Sequence, residues 1–132
     1  MVKVSGARAI IESLKLHDVD TIFGIISIHT LDIYDILASE QDELKFIGGR
    51  QELGVGFMAD GYARVSGKPG ILLTSTGPGA ADSIGAIGEA YFSASPVLEI
   101  TTNVEQEFMG KGMLPTHDVK DQSAMFSAVT DW

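Results

Sequence analysis

Residues 70–75 form the stretch that most constrains the fold of this 132-residue chain. The stretch reads Gly-Ile-Leu-Leu-Thr-Ser and is apolar almost throughout, whereas a strand with one solvent-exposed face alternates apolar and polar residues. An unbroken apolar strand suits a parallel sheet that helices cover on both faces. The stretch therefore predicts a central strand of an α/β protein.

Helical and strand-like segments alternate along the rest of the chain. Helices are predicted over 5–16, 31–38, 52–65 and 80–94, and strands over 19–24, 44–47, 70–75 and 96–101. Residues 103–122 have little periodicity, and 124–132 are predicted as a short helix. Four strands separated by helices imply right-handed crossovers. We expect a doubly wound, mainly parallel sheet with helices on both faces.

Composition and charge exclude several classes of protein. The net charge of −9 argues against nucleic-acid binding, which needs a basic surface. The absence of cysteine excludes disulfides, iron–sulfur clusters and thiolate zinc sites. His17, His29 and His117 lack paired metal-ligand spacing, so no metal ligands are expected here and each histidine is predicted at the surface or in packing. Without a signal peptide or a long apolar span, no membrane partner and a cytoplasmic location are expected.

Glu52 lies at the predicted start of the third helix, directly after a strand and a Gly-Gly turn. A carboxylate in this position complements the helix dipole, pairs with Arg50, or meets a nitrogen atom of a ligand. In doubly wound folds, ligands bind beyond the carboxyl ends of the strands. The loops at that edge are 24–30, 48–52, 76–82 and 101–107. The position of Glu52 in one of them favours a ligand-binding role.

The turn Thr76-Gly-Pro-Gly79 opens the fourth predicted helix. Its backbone amides are expected to be exposed and to favour an anion or the polar edge of a ligand, although a purely structural turn has comparable support. The turn lacks the lysine of a phosphate loop and the Gly-x-Gly-x-x-Gly spacing.

Asp60 and Arg64, four residues apart, are expected to form an ion pair. Glycines cost helix stability, so those at 54, 56, 61, 85 and 88 indicate that another helix approaches closely. A subunit interface is one place where such an approach could occur.

The string from Arg50 to Gly70, followed by Thr76-Gly-Pro-Gly79 and Ser95-Pro96, resembles the N-terminal pyrimidine-binding domain of thiamine diphosphate enzymes. Within that group it is similar to the acetolactate synthase-like 2-oxoacid decarboxylases and carboligases. The resemblance implies a single pyrimidine-binding domain over residues 1–132 that is truncated at its C-terminus. It also implies an enzyme, a thiamine diphosphate-dependent transferase or lyase. Such an enzyme decarboxylates a 2-oxoacid and transfers the resulting enamine to an acceptor.

The same resemblance implies particular site residues. Glu52 is expected to be catalytic, because its counterpart hydrogen-bonds N1′ of the cofactor's aminopyrimidine ring. The residues implied to bind the cofactor are Ile26, Ser27, Glu52, Thr76, Gly77, Pro78, Gly79 and Asp82. Three positions depart from the family pattern. Gln51 replaces a frequent histidine, the loop Gly24-Ile-Ile-Ser27 replaces Gly-x-Pro-Gly, and Asp82 replaces a frequent asparagine.

Relatives bind Mg²⁺ and the diphosphate through a separate domain with a Gly-Asp-Gly segment, which this sequence lacks. The resemblance therefore implies thiamine diphosphate with Mg²⁺ as cofactors, both held largely by a diphosphate-binding domain or subunit. It further implies a homo-oligomer, a dimer or tetramer, a small 2-oxoacid substrate, and no activity of the isolated chain. Two alternatives stay open: a flavodoxin-like module that binds a nucleotide or flavin, and a non-catalytic subunit that dimerises through its glycine-lined helices.

Overall fold

Helices and strands alternate along the computed structural model, which describes residues 3–113 and 115–131. A short 3₁₀ turn, Ile28–Thr30, precedes the second helix. In chain order the elements are α1 (Gly6–Leu16), β1 (Thr21–Gly24), α2 (Leu31–Ser39), β2 (Lys45–Gly48), α3 (Glu52–Ser66), β3 (Gly70–Thr74), α4 (Pro78–Phe92), β4 (Val97–Thr101) and α5 (Gln122–Phe126). None of these helices is long and apolar enough to cross a membrane.

The four strands form one parallel sheet in the order β2-β1-β3-β4. Leu72 of β3 lies in register with Phe23 of β1 on one side and with Glu99 of β4 on the other. Every residue of β3 is buried. The prediction of a central strand from the apolar stretch at 70–75 is thus confirmed.

Helices cover both faces of the sheet. Because side chains alternate across a strand, Ile22, Ile71 and Leu73 point to the face covered by α1 and α2. Phe23 and Leu72 point to the opposite face, which α3 and α4 cover. The predicted doubly wound α/β fold is therefore confirmed.

Two helices have boundaries that differ from the predictions. Helix α4 begins at Pro78, two residues early, because Gly77 is its N-cap and proline suits the first helical position. The last helix was predicted over 124–132, but it begins at Gln122 and ends at Phe126. Its early start follows from the side chain of Asp121, which accepts a hydrogen bond from the amide of Ala124 at 2.9 Å. Trp132 lies outside the described residues.

The close helix approach that the glycines indicate occurs within the chain, between α3 and α4. A Cβ atom on Gly56 would lie 2.5 Å from Cβ of Ala86, and one on Gly85 would lie 3.0 Å from Cδ1 of Leu53. Gly54 has no neighbouring atom within 4 Å of such a Cβ. The glycines thus permit α3 and α4 to pack tightly on one side, while part of α3 remains uncovered.

The expected ion pair between Asp60 and Arg64 also forms, beside this helix contact. Nε of Arg64 donates to both carboxylate oxygens of Asp60, at 3.0 and 2.9 Å. Burial acts to raise the pKa of Asp60, but the hydrogen bonds from Arg64 contribute to a net lowering. This pair joins successive turns of α3 and lies apart from the candidate site described below.

Candidate functional site

Glu52 lies in an open pocket at the carboxyl edge of the sheet. The loop after β1, the residue after β3, the first residue of α3 and a short stretch of the segment after β4 enclose about 500 Å³. The lining residues are Ile25, Ile26, Ser27, Ile28, Leu31, Glu52, Ser75, Thr116 and His117. The walls are therefore largely aliphatic, with one carboxylate, one imidazole and several hydroxyl groups among them.

The carboxylate of Glu52 is partly exposed and is left available to a ligand. In the described parts of the chain it forms no ion pair and accepts no side-chain hydrogen bond, and the pairing with Arg50 considered above does not occur there. As the first residue of α3, Glu52 complements the dipole of that helix. Gly79 lies beside it, since a Cβ atom on Gly79 would be 3.1 Å from Oε1 of Glu52.

Three polar side chains form a hydrogen-bonded row along the pocket. Oγ of Ser27 lies 2.6 Å from Oγ of Ser75, which in turn lies 3.3 Å from Nδ1 of His117. The ring of His29 packs against the ring of His117, with 5.3 Å between their centroids. Sequence reasoning placed His117 in packing or at the surface and did not single out Ser75. The structure makes both of them part of the pocket wall.

The Thr76–Gly79 turn is tied to the segment after β4 and does not expose the amide of Gly77. That amide donates to Oε1 of Gln122 at 2.7 Å, and Nε2 of Gln122 donates to the carbonyl of Thr102 at 2.7 Å. The expectation of an exposed amide is wrong at this residue, because a buried glutamine occupies it. This arrangement counts against the turn as a cradle for a nucleotide or flavin phosphate.

The structure brings some of the residues implied to bind the cofactor together and separates others. Ile26, Ser27 and Glu52 line the pocket, and Gly79 contacts Glu52. Thr76 is fully buried, with Oγ1 2.8 Å from Oγ1 of Thr102. The remaining residues of that set are Gly77, buried beside Gln122, and Pro78 and Asp82, both exposed on α4 and outside the pocket lining.

A second carboxylate with an unusual environment lies on β4. Oε1 of Glu99 accepts hydrogen bonds from Oγ1 of Thr74 at 2.7 Å and from Oγ of Ser83 at 2.6 Å. Its Oε2 atom is buried and has no partner among the described residues. Burial raises the pKa of Glu99 to about 6, and the two hydrogen bonds offset part of that rise. Nothing in the sequence around Glu99 indicated this environment.

Glu99 borders a larger groove of about 1130 Å³ between α4, β4 and α5. This groove includes neither Glu52 nor the Ser27–Ser75–His117 row. The smaller pocket is the better candidate site, because its polar groups converge at the carboxyl ends of the strands, where doubly wound folds bind ligands. No group of three or more His, Asp or Glu side chains in residues 3–113 and 115–131 is arranged to hold a metal ion.

A doubly wound domain with a largely aliphatic pocket and a few convergent polar groups at this edge belongs to the class of ligand-binding α/β domains. The family model described as "Thiamine pyrophosphate enzyme, N-terminal TPP binding domain" matches residues 4–125. The chain therefore belongs to this family, as its resemblance indicated.

Curated relatives include decarboxylases and synthases. The chain is 41% identical over 127 residues to the "Probable 2-ketoarginine decarboxylase AruI" of Pseudomonas aeruginosa, covering 96% of this chain and 22% of that protein. It is 39% identical over 119 residues to an acetolactate synthase of Arthrospira platensis, covering 89% and 21%. It is 33% identical over 118 residues to the mitochondrial acetolactate synthase catalytic subunit of Saccharomyces cerevisiae, covering 89% and 17%. The chain thus spans about a fifth of the length of these relatives.

Proposed function

We propose that residues 1–132 are the pyrimidine-binding part of a larger thiamine diphosphate-dependent enzyme. The complete enzyme decarboxylates a 2-oxoacid and transfers the remaining fragment to an acceptor, as an acetolactate synthase-like transferase or lyase. Family membership supports the cofactor, and relatives named as a decarboxylase and as acetolactate synthases support the class of reaction. The occupied amide of Gly77 removes the main support for a nucleotide- or flavin-binding module.

The open carboxylate of Glu52 is the observation that carries this proposal. Four aliphatic side chains, from Ile25, Ile26, Ile28 and Leu31, offer an apolar wall to a flat heteroaromatic ring. Glu52 and the hydroxyl groups of Ser27 and Ser75 offer the polar atoms that ring nitrogens need. The residues present therefore fit the aminopyrimidine end of thiamine diphosphate.

When bound, thiamine diphosphate supplies the electron sink that permits loss of carbon dioxide from a 2-oxoacid. The role of Glu52 is to hold a hydrogen bond to the ring nitrogen N1′, so that its carboxyl group controls a proton at that atom. Gly79 keeps the approach to Glu52 free of a side chain. A ring bound against the aliphatic wall would displace water from beside this carboxyl group, and that would strengthen the interaction between the two.

The diphosphate and Mg²⁺ are, in this proposal, bound by another domain or subunit. The small fraction of the relatives' length that the chain spans supports that assignment. The 132-residue chain is then inactive until the diphosphate-binding partner is present, and the complete enzyme acts in the cytoplasm.

Substitution of Glu52 by glutamine in the full-length protein tests the proposal. Turnover would be measured with thiamine diphosphate, Mg²⁺, and pyruvate or 2-ketoarginine as 2-oxoacids. We expect kcat to fall by about 100-fold or more, because glutamine cannot exchange a proton with N1′. Glu12→Gln, at an exposed position of α1, is the matched control and should leave kcat unchanged. Near-normal turnover of Glu52→Gln would remove Glu52 from the catalytic role.

A homo-oligomer, either a dimer or a tetramer, is the second part of the proposal. The uncovered side of α3 carries Phe57, Met58 and Val65, which are 45, 40 and 89% exposed. Apolar side chains on one helix face favour burial against a partner. Sedimentation of the full-length protein should show that Phe57→Glu dissociates the oligomer, whereas Lys3→Glu does not. An unchanged mass for Phe57→Glu would place the subunit contact elsewhere.

A further inference from the structure

The row of Ser27, Ser75 and His117 connects the Glu52 pocket with the irregular segment after β4. The two serines are 48 residues apart in sequence, and Ser75 and His117 are 42 apart. All three side chains nevertheless line one pocket together with Glu52. The amide of His29 also donates to Oγ of Ser27 at 3.3 Å, which holds this oxygen in place.

The direction of the hydrogen bonds along this row depends on one nitrogen atom. A serine hydroxyl has a single proton to donate. If Nδ1 of His117 carries a proton, it donates to Ser75, Ser75 donates to Ser27, and the proton of Ser27 is free to point into the pocket. If Nδ1 presents a lone pair, both serines donate toward His117, and Ser27 presents a lone pair to the pocket. The two states of the imidazole thus give Ser27 opposite polarity.

The backbone holds His117 in a conformation that most residues avoid. Its φ angle is 68°, in the left-handed region, where histidine is more frequent than most other residues. Its carbonyl oxygen packs against the Thr76–Gly79 turn, since a Cβ atom on Gly77 would lie 2.1 Å from that oxygen. Such conformations persist where the surroundings hold them, and they concentrate at functional sites.

We propose that His117 is a positioning residue that, through Ser75, decides whether Ser27 offers a proton or a lone pair to a ligand beside Glu52. The identity of that ligand, an aminopyrimidine ring or a 2-oxoacid, rests on the proposed function. The reversal is a change of hydrogen-bond direction: when the imidazole exchanges one tautomer for the other, the hydroxyl hydrogens of Ser75 and Ser27 reorient along the row. No O–H bond is broken in either serine, and the number of protons on the imidazole and on the ligand is unchanged. The titratable groups around His117 are Glu52 across the pocket, His29 on its ring face and Asp118 next in the chain.

The first test needs no turnover. Nitrogen-15 spectra of histidine side chains would be recorded on the cofactor-free, full-length protein, with His117→Asn used to assign the Nδ1 signal. We expect Ser75→Ala to shift this signal, and Ser27→Ala to shift it as well, although Ser27 acts on the ring only through Ser75. Ser39→Ala, at an exposed position at the end of α2, is the control and should leave the signal unchanged. If the Nδ1 signal is unchanged in both Ser27→Ala and Ser75→Ala, the proposal is overturned.

The second test uses the full-length enzyme with thiamine diphosphate, Mg²⁺ and a 2-oxoacid. We expect His117→Phe and Ser75→Ala each to lower kcat about tenfold to hundredfold with little change in KM, and the double variant to lose no more than either one. His117→Asn, which keeps hydrogen-bonding atoms near the Nδ1 position, should recover most of the rate that His117→Phe loses. His17→Asn, at an exposed position at the end of α1, is the control and should leave kcat unchanged.

Two outcomes would contradict the proposal: a wild-type kcat for His117→Phe, or a double variant whose loss in kcat is the product of the two single losses. If the wild-type enzyme turns over no 2-oxoacid, the proposed function fails, while the nitrogen-15 spectra still decide the role of His117.

Discussion

Glu52 and Glu99 are two glutamates in one small domain with opposite environments. Glu52 lies beyond the end of a strand, where its carboxylate is partly exposed and meets no donor among the described residues. Glu99 lies in the middle of β4, where two hydroxyl groups donate to it and burial raises its pKa to about 6. The protein thus supplies donors to one oxygen of the acid inside its sheet and supplies none, among the described residues, to the acid at the edge.

The positions of the two side chains explain this contrast. A residue in the middle of a strand lies beneath a helix, so Oε1 of Glu99 finds its donors within the protein, from Thr74 and from Ser83 of α4. A residue at the start of a helix beyond the sheet has solvent on one side, so the carboxylate of Glu52 is accessible to a ligand. Substitution of Glu99 should therefore change the free energy of unfolding more than substitution of Glu52 does.

The largest expected effect on stability comes from the wall behind the Glu52 pocket. Gly77→Ala should lower the free energy of unfolding by about 3 kcal/mol, because the new methyl group meets the carbonyl of His117 and the backbone is strained. Gly67→Ala is the control for a positive φ in open space: its φ is 72° and its ψ is 7°, and the substitution should cost only about 1 kcal/mol. Urea unfolding would measure both. Equal losses would show that the packing of His117 against this turn contributes nothing.

The next effect concerns the charge of Glu99. Its pKa rises from an ordinary 4.5 to about 6, so the folded protein binds the proton more tightly than the unfolded chain. Its contribution to stability should therefore fall by about 2 kcal/mol as pH rises through this window. In Glu99→Gln this part of the pH dependence should disappear. Urea unfolding of both proteins at about pH 4 and about pH 8 measures the difference. A constant difference between them would show that Glu99 is not perturbed.

A smaller effect is expected from the donors of Glu99. Ser83→Ala removes one of the two hydroxyl groups, so the pKa of Glu99 should rise further, because the charged form loses a hydrogen bond. Unfolding at about pH 8 should show a loss of about 1 kcal/mol, and the loss should shrink below the pKa of the folded state. Ser13→Ala on the exposed side of α1 is the control. A loss that is independent of pH would assign the role of Ser83 to the carbonyl of Ala80, which it also contacts.

The smallest effect on stability is expected at Glu52. Glu52→Gln should change the free energy of unfolding by less than about 0.5 kcal/mol, because its carboxylate forms no hydrogen bond or ion pair in the described residues. The same substitution is expected to abolish most turnover in the full-length enzyme. Thermal unfolding of the variant measures the stability part. A large destabilisation would mean that Glu52 also supports the fold, and the contrast with Glu99 would weaken.

Much of the fold could be predicted because the patterns that encode it are local. The apolar stretch at 70–75 and the helical spacing around Ile11 and Leu14 report which residues face the core within a few positions of the chain. The position of Glu52 followed from the same reasoning, since the strand before it and the helix after it were both recognisable. Its role as the catalytic residue stays a prediction.

The rest of the pocket could not be predicted because it depends on contacts between distant segments. His117 lies in a stretch without periodicity, and it joins Ser75 across 42 residues. Gln122 occupies the amide of Gly77 across 45 residues, which reversed the expectation of an exposed turn. Neither contact leaves a local pattern, because each is made between loops that only the sheet brings together.

The sequence alone therefore determined the order of helices and strands, the parallel sheet, the family and the place of Glu52 at its ligand-binding edge. Periodicity and a family motif suffice for these, because both are properties of neighbouring residues. Three outcomes required the tertiary structure: the carboxylate of Glu52 meets no donor within residues 3–113 and 115–131, Glu99 accepts two hydrogen bonds beneath α4, and His117 reaches Ser27 through Ser75. These outcomes depend on burial and on hydrogen bonds of about 3 Å across the fold, where a difference of one ångström separates a bond from none.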